Sequence, residues 1–370
     1  MKSMKIGIFK SFALLLITYY PTSVHGQIID AERYHRASLI SMLIERPMYP
    51  FNDEISDAFK NVPMPNRFNN HNLGVRIVRF ATQEYTSQEE HIEQFIEKSF
   101  LSNRAIAKWF DWNKEDGSFS MDIIKERGFY DATALEHEIA NNTIRGSAIL
   151  EDAGENLISQ TYLVMNDICY KGEYGIHKSD NEVGNKNKFD INIVSYLFQL
   201  SWTAQNTNVF WSQFWPSTKS FTSVAIPFNF EFKAKVSSDY SDSSKDISQN
   251  DLIKRAVARS IDLNIAKLQR IYPDFRIKAR LLSTNPLYAE IGLKENINED
   301  SKFEVLECIV DSKGIEKYRR IGVVKPMKGK IGDNRFMSES NNIGTYFEIV
   351  TGHGFFPGML LREISHKLIE

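Results

Sequence analysis

The sequence predicts an α+β protein: a helix-rich α/β domain containing a long amphipathic β-hairpin, followed by a small C-terminal β-barrel. Three observations lead there. Apolar residues recur at helical spacing through much of the first 140 positions and again from Asp251 to Ile271. Two stretches, near 194–203 and 223–236, alternate apolar and polar residues over a length that only strands use. From Phe275 onward the chain breaks into short strand-like runs separated by tight turns.

The N-terminus reads as a cleavable secretory signal. Lys2, Lys5 and Lys10 precede the apolar core Phe12 to Tyr20, and Val24 and Gly26 stand three and one positions before a cut ahead of Gln27. The apolar run is too short to span a bilayer as a helix. Residue 27 is Gln, so a lipid anchor at the new N-terminus is not indicated. Removing 26 of 370 residues leaves 344, about two domains. The signal carries three of the 45 basic residues and none of the 47 acidic ones, so the remainder has 42 against 47, a net charge of −5. That balance argues against a general polyanion-binding surface. With Cys169 and Cys308 as the only cysteines, a disulfide-stapled scaffold is excluded, and two free thiols are expected in preference to one bridge. The expected division is a signal at 1–26, an α+β domain at 27–273 and a β-barrel-like domain at 274–370.

Taken in order, residues 31–45 and 53–60 read as short amphipathic helices, and Val75 to Phe80 has strand composition. Helical spacing returns at 88–99 and 104–110, then near 119–127 and 132–140. The segment 147–157 is an amphipathic helix feeding a strand that begins near Tyr162. Gly154 marks a close approach of another backbone. Residues 171–190 read as a loop or hairpin tip. The two alternating runs then form a hairpin at 191–236 with strands of 11 to 15 residues, joined by the aromatic loop "VFWSQFWP". The Ser/Asp-rich "SSDYSDSSKDIS" reads as a mobile loop. In the helix 251–271, Lys254, Arg255, Arg259, Lys267 and Arg270 read as a solvated basic face. "ARLLS", "YAEIGLK", "KFEVLECIV", "EKYRRIGVVK", "TYFEIV" and "GMLLREI" supply the barrel strands.

Motifs for chemistry are incomplete. Glu136-His137-Glu138 opens like a zinc-protease helix, but Asn141 stands where the second histidine belongs. There is no Gly-x-Ser-x-Gly elbow, and neither cysteine has a context that lowers its pKa. "GHGFFPG" at 352–358 misses the dinucleotide spacing and reads as a turn pair between two strands; Gly329-Lys330 lacks the preceding phosphate loop. Glu151, Asp152, Glu155 and Asp167 gather near one another, yet helical spacing puts the first three opposite Ile149, Leu150, Ala153 and Leu157, the wet side of an amphipathic helix. An acid/base role would require one of them in an apolar pocket. No catalytic residue, cofactor or metal site is therefore assigned, and no small-molecule ligand is identifiable.

The unusual feature is the hairpin. Tyr196, Phe198, Trp202, Ile226, Phe228, Phe230 and Phe232 would line one apolar face, with Trp211 and Trp215 at its end like an interfacial girdle. A single hairpin cannot close a barrel, so a membrane role would need a ring of subunits. The alternative is a hairpin packed on helices within an α+β domain. A face covered by protein would decide for the second, a bare belt for membrane or subunit contact.

Four segments together carry a resemblance: "GSAILEDAGENLISQTYLVMNDICY", "AEIGLKENINEDSKFEVLE", "RRIGVVKPMKGKIGDNRF" and "GFFPGMLLREI". They resemble uncharacterised exported proteins of Gram-negative anaerobe envelopes. An α/β domain with long amphipathic strands is similar to the curli-secretion pore family, from which this chain departs in lacking a cysteine at 27. A terminal β module is similar to those of flagellar envelope-assembly proteins. The resemblance implies a non-enzymatic protein of the periplasm or outer-membrane periphery that binds envelope proteins or itself, with possible outer-membrane contact and no nucleic acid. The alternatives are a subunit of an outer-membrane pore or secretion channel using the hairpin, and a secreted hydrolase using the carboxylates.

Overall fold

The computed structural model describes residues 37–63, 68–80, 87–131, 154–155, 157–172, 187–272, 275, 279–310 and 316–364. All belong to one compact unit, Tyr34–Glu370. The protein combines helices with two separate β-sheets.

The first sheet has the order β2-β1-β4-β5-β6: β1 is Ser38–Ile44, β2 Asn69–Asn70, β4 Thr161–Tyr170, β5 Asn187–Leu200 and β6 Phe230–Ser244. The two-residue β3, Ile77–Val78, also pairs with β1. β1 runs parallel to β4, from Ser38 opposite Thr161 to Ile44 opposite Asp167, and β4, β5 and β6 are antiparallel. Residues 38–44, expected to be helical, are thus a strand. "SLISMLI" is buried on both faces, and a short run with no wet side carries no period that separates helix from strand.

Helices cover both faces. On one, Leu39, Leu43, Val164, Ile193 and Leu197 meet Ile55 and Phe59 of α1 (Asn52–Asn61) and Ile253, Val257, Ile261 and Leu268 of α6 (Gln249–Ile271). On the other, Ile40, Met42, Leu163 and Met165 meet Ile92 and Ile96 of α2 (Gln88–Lys98), Ile106 and Trp109 of α3 (Leu101–Trp109), and Ile124 of α4 (Asp122–Asp131). A Ser87–Glu90 capping box starts α2, and the Ser248 hydroxyl accepts from Asp251 N to start α6. At Gly154 a Cβ would lie 2.0 Å from the Ile124 carbonyl oxygen, the close approach expected there. The predicted helix at 132–140 and most of 147–157 lie outside the described residues.

The hairpin forms, longer and later than expected. β5 and β6 pair from Leu200 opposite Phe230 to Asn187 opposite Ser244. Residues 223–228 stay out of the ladder: Pro227 has no N–H, and the Asn103 amide donates to the carbonyls of Phe221 and Val224 at 2.6 and 2.8 Å. The expected Ser/Asp loop is instead the second half of β6. Its inward side chains Ser238 and Asp242 find polar partners on α6, so a polar sequence forms a strand with one buried face.

Those partners belong to a row that crosses the α6 face. Asn166 Nδ2 donates to Ser41 Oγ and Met42 O, Ser195 Oγ to Asn166 Oδ1 (2.8 Å), Asn264 Nδ2 to Ser195 Oγ (3.0 Å) and Ile193 O (3.2 Å), and Ser238 Oγ to Asn264 Oδ1 (2.5 Å). Asn166, Ser195 and Asn264 have no exposure, so each polar group depends on the next. Asn264→Ala is expected to lower unfolding free energy by about 1–2 kcal/mol, read by urea denaturation, because buried groups on β5 and β6 each lose one hydrogen-bond partner while Ser195 keeps Asn166 and Ser238 keeps Lys267.

The basic residues of α6, expected to be a solvated face, mostly hold the protein together. Arg255 forks onto Asp242, Arg259 donates to the Phe336 and Met337 carbonyls, Lys267 donates to Ser238 Oγ at 2.6 Å, and Arg270 pairs with Glu363. Helical spacing alone shows charge on one side of α6; it does not show what that side meets.

The second sheet is antiparallel, ordered β7-β13-β10-β11-β12-β9-β8, with β7 at Ala279–Arg280, β8 at Ser283–Thr284, β9 at Leu287–Ala289, β10 at Phe303–Val310, β11 at Glu316–Pro326, β12 at Thr345–Thr351 and β13 at Leu360–Glu363. It curls into a half-barrel around Phe303, Val305, Val324, Phe347 and Leu361. Among the described residues β7 and β8 do not pair, so the expected barrel stays open. "GHGFFPG" lies between β12 and β13, with Gly352, Gly354 and Gly358 at positive φ, as a turn pair requires.

Candidate functional surfaces

The sequence directed attention to the hairpin face, and the structure covers it. Tyr196 is 3% exposed, Phe198 0%, Phe228 4% and Phe230 2%. The connection between the strands turns back over that face: α5 (Ala204–Val209), a π-helical turn at Phe210–Phe214 and a 3-10 turn at Phe221–Ser223. Phe210 stacks on Phe110 at 4.6 Å, Trp202 on Phe228 at 5.2 Å, and Phe119 on Trp215 at 5.9 Å. Trp202, Trp211, Trp215 and Ile226 are partly buried against this cluster. Of the nine residues expected to face membrane or partner, Phe232 alone is classed exposed, at 41%. Alternation found the apolar side chains. The single face expected to run on to Ala234 and Val236 is broken by a bulge opposite Leu197 and Phe198, which puts Ala234 and Val236 in the core on the other side of the sheet. Nor does alternation report that the connecting segment supplies the cover.

Of the four clustered carboxylates, Glu155 and Asp167 fall among the described residues. Glu151 and Asp152 lie outside the described residues, as does His137, while Glu155 is half-buried. Asp167 sits at the carboxyl end of β4 and is held by Arg46, just beyond β1, whose Nε and Nη2 reach it at 2.9 and 2.5 Å. Arg46 also donates to Gln88 Oε1 at 3.0 Å at the start of α2. Cys169 beside Asp167 is a free thiol that burial pushes up to about 12, so it is protonated at neutral pH. The side chain of Cys308 lies outside the described residues.

His71 is fully buried and reaches Ala105 O at 2.9 Å, and burial pushes it down to about 3, which keeps the ring neutral. Among the described residues no three His, Cys, Asp or Glu side chains are placed to hold a metal ion, and no helix is long and apolar enough to cross a membrane.

No protein-family model matches this chain, and none of the curated proteins is similar to it.

What remains for recognition is surface. Ile349 and Val350 of β12 are 53% and 44% exposed, and Phe356 in the following loop is 50% exposed. Phe355 packs over Gly322, where a Cβ would meet its ring at 2.7 Å, and Gly352 abuts the Ile321 carbonyl. These contacts brace the loop on β11 and hold Phe356 outward. Arg319 and Arg320 lie exposed on the same strand, Arg319 paired with Glu307. A second exposed pair, Met48 at 94% and Tyr49 at 51%, tops the turn after β1, which Phe51 anchors against Tyr170 at 4.8 Å. Finally, β6 pairs on one side only among the described strands. Sequence reasoning passed over Ile349, Val350 and Phe356 because they occur in runs that otherwise read as core strand and turn. Their composition matches that of buried neighbours, and only the openness of the half-barrel separates them.

Proposed function

We propose that this is an exported protein of the periplasm or outer-membrane periphery that works by binding envelope proteins or copies of itself, without carrying out a reaction. The single observation that carries the reading is the exposure of three large apolar side chains within eight residues, Ile349, Val350 and Phe356, on β12 and the loop that follows it. Exposed apolar side chains grouped on a rigid support are characteristic of association surfaces, whereas singly scattered ones are ordinary. The signal-like N-terminus and the resemblance to exported envelope proteins support the location. Burial of the hairpin's aromatic face shifts the contact surface from the hairpin to the C-terminal sheet.

The test is the behaviour of the chain from Gln27 onward. Light scattering is expected to show concentration-dependent association, or pull-down from an envelope fraction a specific partner. Ile349→Ser with Phe356→Ser is expected to abolish it while changing unfolding free energy by only about 0.5 kcal/mol, as exposed substitutions do. A wild-type chain that stays monomeric, captures no envelope protein and partitions away from detergent and membranes would remove the proposal.

A further inference from the structure

The turn after β1 is built to project. Tyr49 N donates to Arg46 O at 2.9 Å across a four-residue turn whose second position is Pro47, and Pro50 follows. Arg46 N donates to Asn52 Oδ1 at 2.7 Å, and its guanidinium is held by Asp167 and Gln88. Phe51 takes a left-handed φ of 60°, which a bulky side chain holds only under constraint, and its ring lies 4.8 Å from Tyr170 and 5.5 Å from Phe189. On this support Met48 is almost wholly exposed, with Tyr49 half exposed beside it. A projection ordered within the fold loses little further freedom when it docks, which favours association.

The charge around that projection is acidic. Asp53 and Glu54, in the first turn of α1, are exposed. Nearby cations are paired within the chain: Arg46 with Asp167, Arg79 with Glu45 and Lys60 with Asp57. An anionic bilayer is therefore a poor receiver for Met48 and Tyr49. The C-terminal sheet offers the converse surface. β9 leaves β12 at Phe347, so residues 348–351 pair with β11 alone among the described strands, and Ile349, Val350 and Phe356 are exposed. Arg319 and Arg320 are exposed on β11 shortly before Gly322, against which Phe355 packs.

Both surfaces are open in one chain, so neither occupies the other within it. We infer that the occupant is a second copy of this chain: the turn bearing Met48 and Tyr49 of one molecule seats on the Ile349, Val350 and Phe356 surface of the next, with Asp53 and Glu54 toward Arg319 and Arg320. Such a contact joins unlike surfaces. Each added molecule leaves one of them free at either end, and assembly runs on as a chain unless it closes as a ring. Opposite charge across the contact fixes which surface meets which. The inference rests on the association reading above and assigns its partner.

Two variants of the chain from Gln27 onward test it by mixing, with reductant present to keep Cys169 a thiol. Met48→Ser with Tyr49→Ser keeps the C-terminal surface and loses the projection; Ile349→Ser with Phe356→Ser does the reverse. All four positions are exposed, so both variants should fold. In size exclusion with light scattering, the wild-type chain is expected to grow beyond a dimer as concentration rises. Each variant alone should stay monomeric, its dissociation constant raised at least about tenfold, and an equimolar mixture should stop at a dimer. A mixture that stays monomeric would overturn the inference. So would wild-type association in Met48→Ser with Tyr49→Ser, which leaves the association reading standing on the C-terminal surface alone. Wild-type association in Ile349→Ser with Phe356→Ser would remove both. A wild-type chain that stays monomeric yet captures an envelope protein would overturn the inference and spare the reading.

Discussion

Arg255→Met is expected to cost about 3–5 kcal/mol of unfolding free energy, the range for breaking a buried ion pair from one side. Arg255 and Asp242 are 14% and 8% exposed at the side chain, and the guanidinium meets both carboxylate oxygens, at 2.9 and 2.8 Å. Removing the cation leaves Asp242 buried on the inner face of β6 with its negative charge unmatched. The loss should appear as a lowered urea midpoint, accompanied by fraying of the hairpin end that holds Ser243 and Ser244. Arg255→Met combined with Asp242→Leu should recover most of it, because an apolar pair of similar bulk avoids the desolvation that the charges suffer. If the single variant unfolds at the wild-type midpoint, the clamp is not holding β6 to α6.

The second large effect is expected from Phe210→Ala, again about 3–5 kcal/mol. Phe210 is fully buried, with rings of Phe110, Phe119, Trp211 and Trp202 centred within 5.5 Å. Truncation opens a cavity among large rigid rings that cannot collapse to fill it, and a gain in tryptophan emission wavelength should accompany the loss. Phe232→Ala is the control. At 41% exposure it should cost about 1 kcal/mol or less. Equal costs for the two would mean that the connection between β5 and β6 does not cover the hairpin.

These two variants also mark where sequence pattern stops being informative. The helices α1, α2 and α6 follow from period, because each has one wet side that reveals its geometry. β1 and β4 are both buried on two faces and show no such period: composition alone marks β4 as a strand, and the same absence of period lets β1 read as helix. The second half of β6 was missed for the opposite reason: Ser238 and Asp242 are polar, yet buried, and their partners on α6 are more than ten residues away in sequence. The aromatic connection was recognised as unusual, but its direction depends on Asn103 holding Phe221 and Val224, a contact across 118 and 121 positions. Surface recognition was the least legible. Whether Ile349 is core or exposed depends on where the half-barrel stops, and local sequence does not contain that.

The parallel pairing of β1 with β4 has a consequence for how the chain reaches its fold. Ser38 lies opposite Thr161, so the central ladder joins segments 123 residues apart (161 minus 38), whereas β4, β5, β6 and α6 follow one another in sequence. Closing so long a loop is entropically slow, and the local unit should form ahead of it. During synthesis "SLISMLI" emerges well before its partner exists, an apolar β-prone segment waiting in the open. The chain therefore carries its greatest aggregation hazard early, and β1 is expected to be the last strand of the first sheet to become protected when hydrogen exchange is pulsed during refolding.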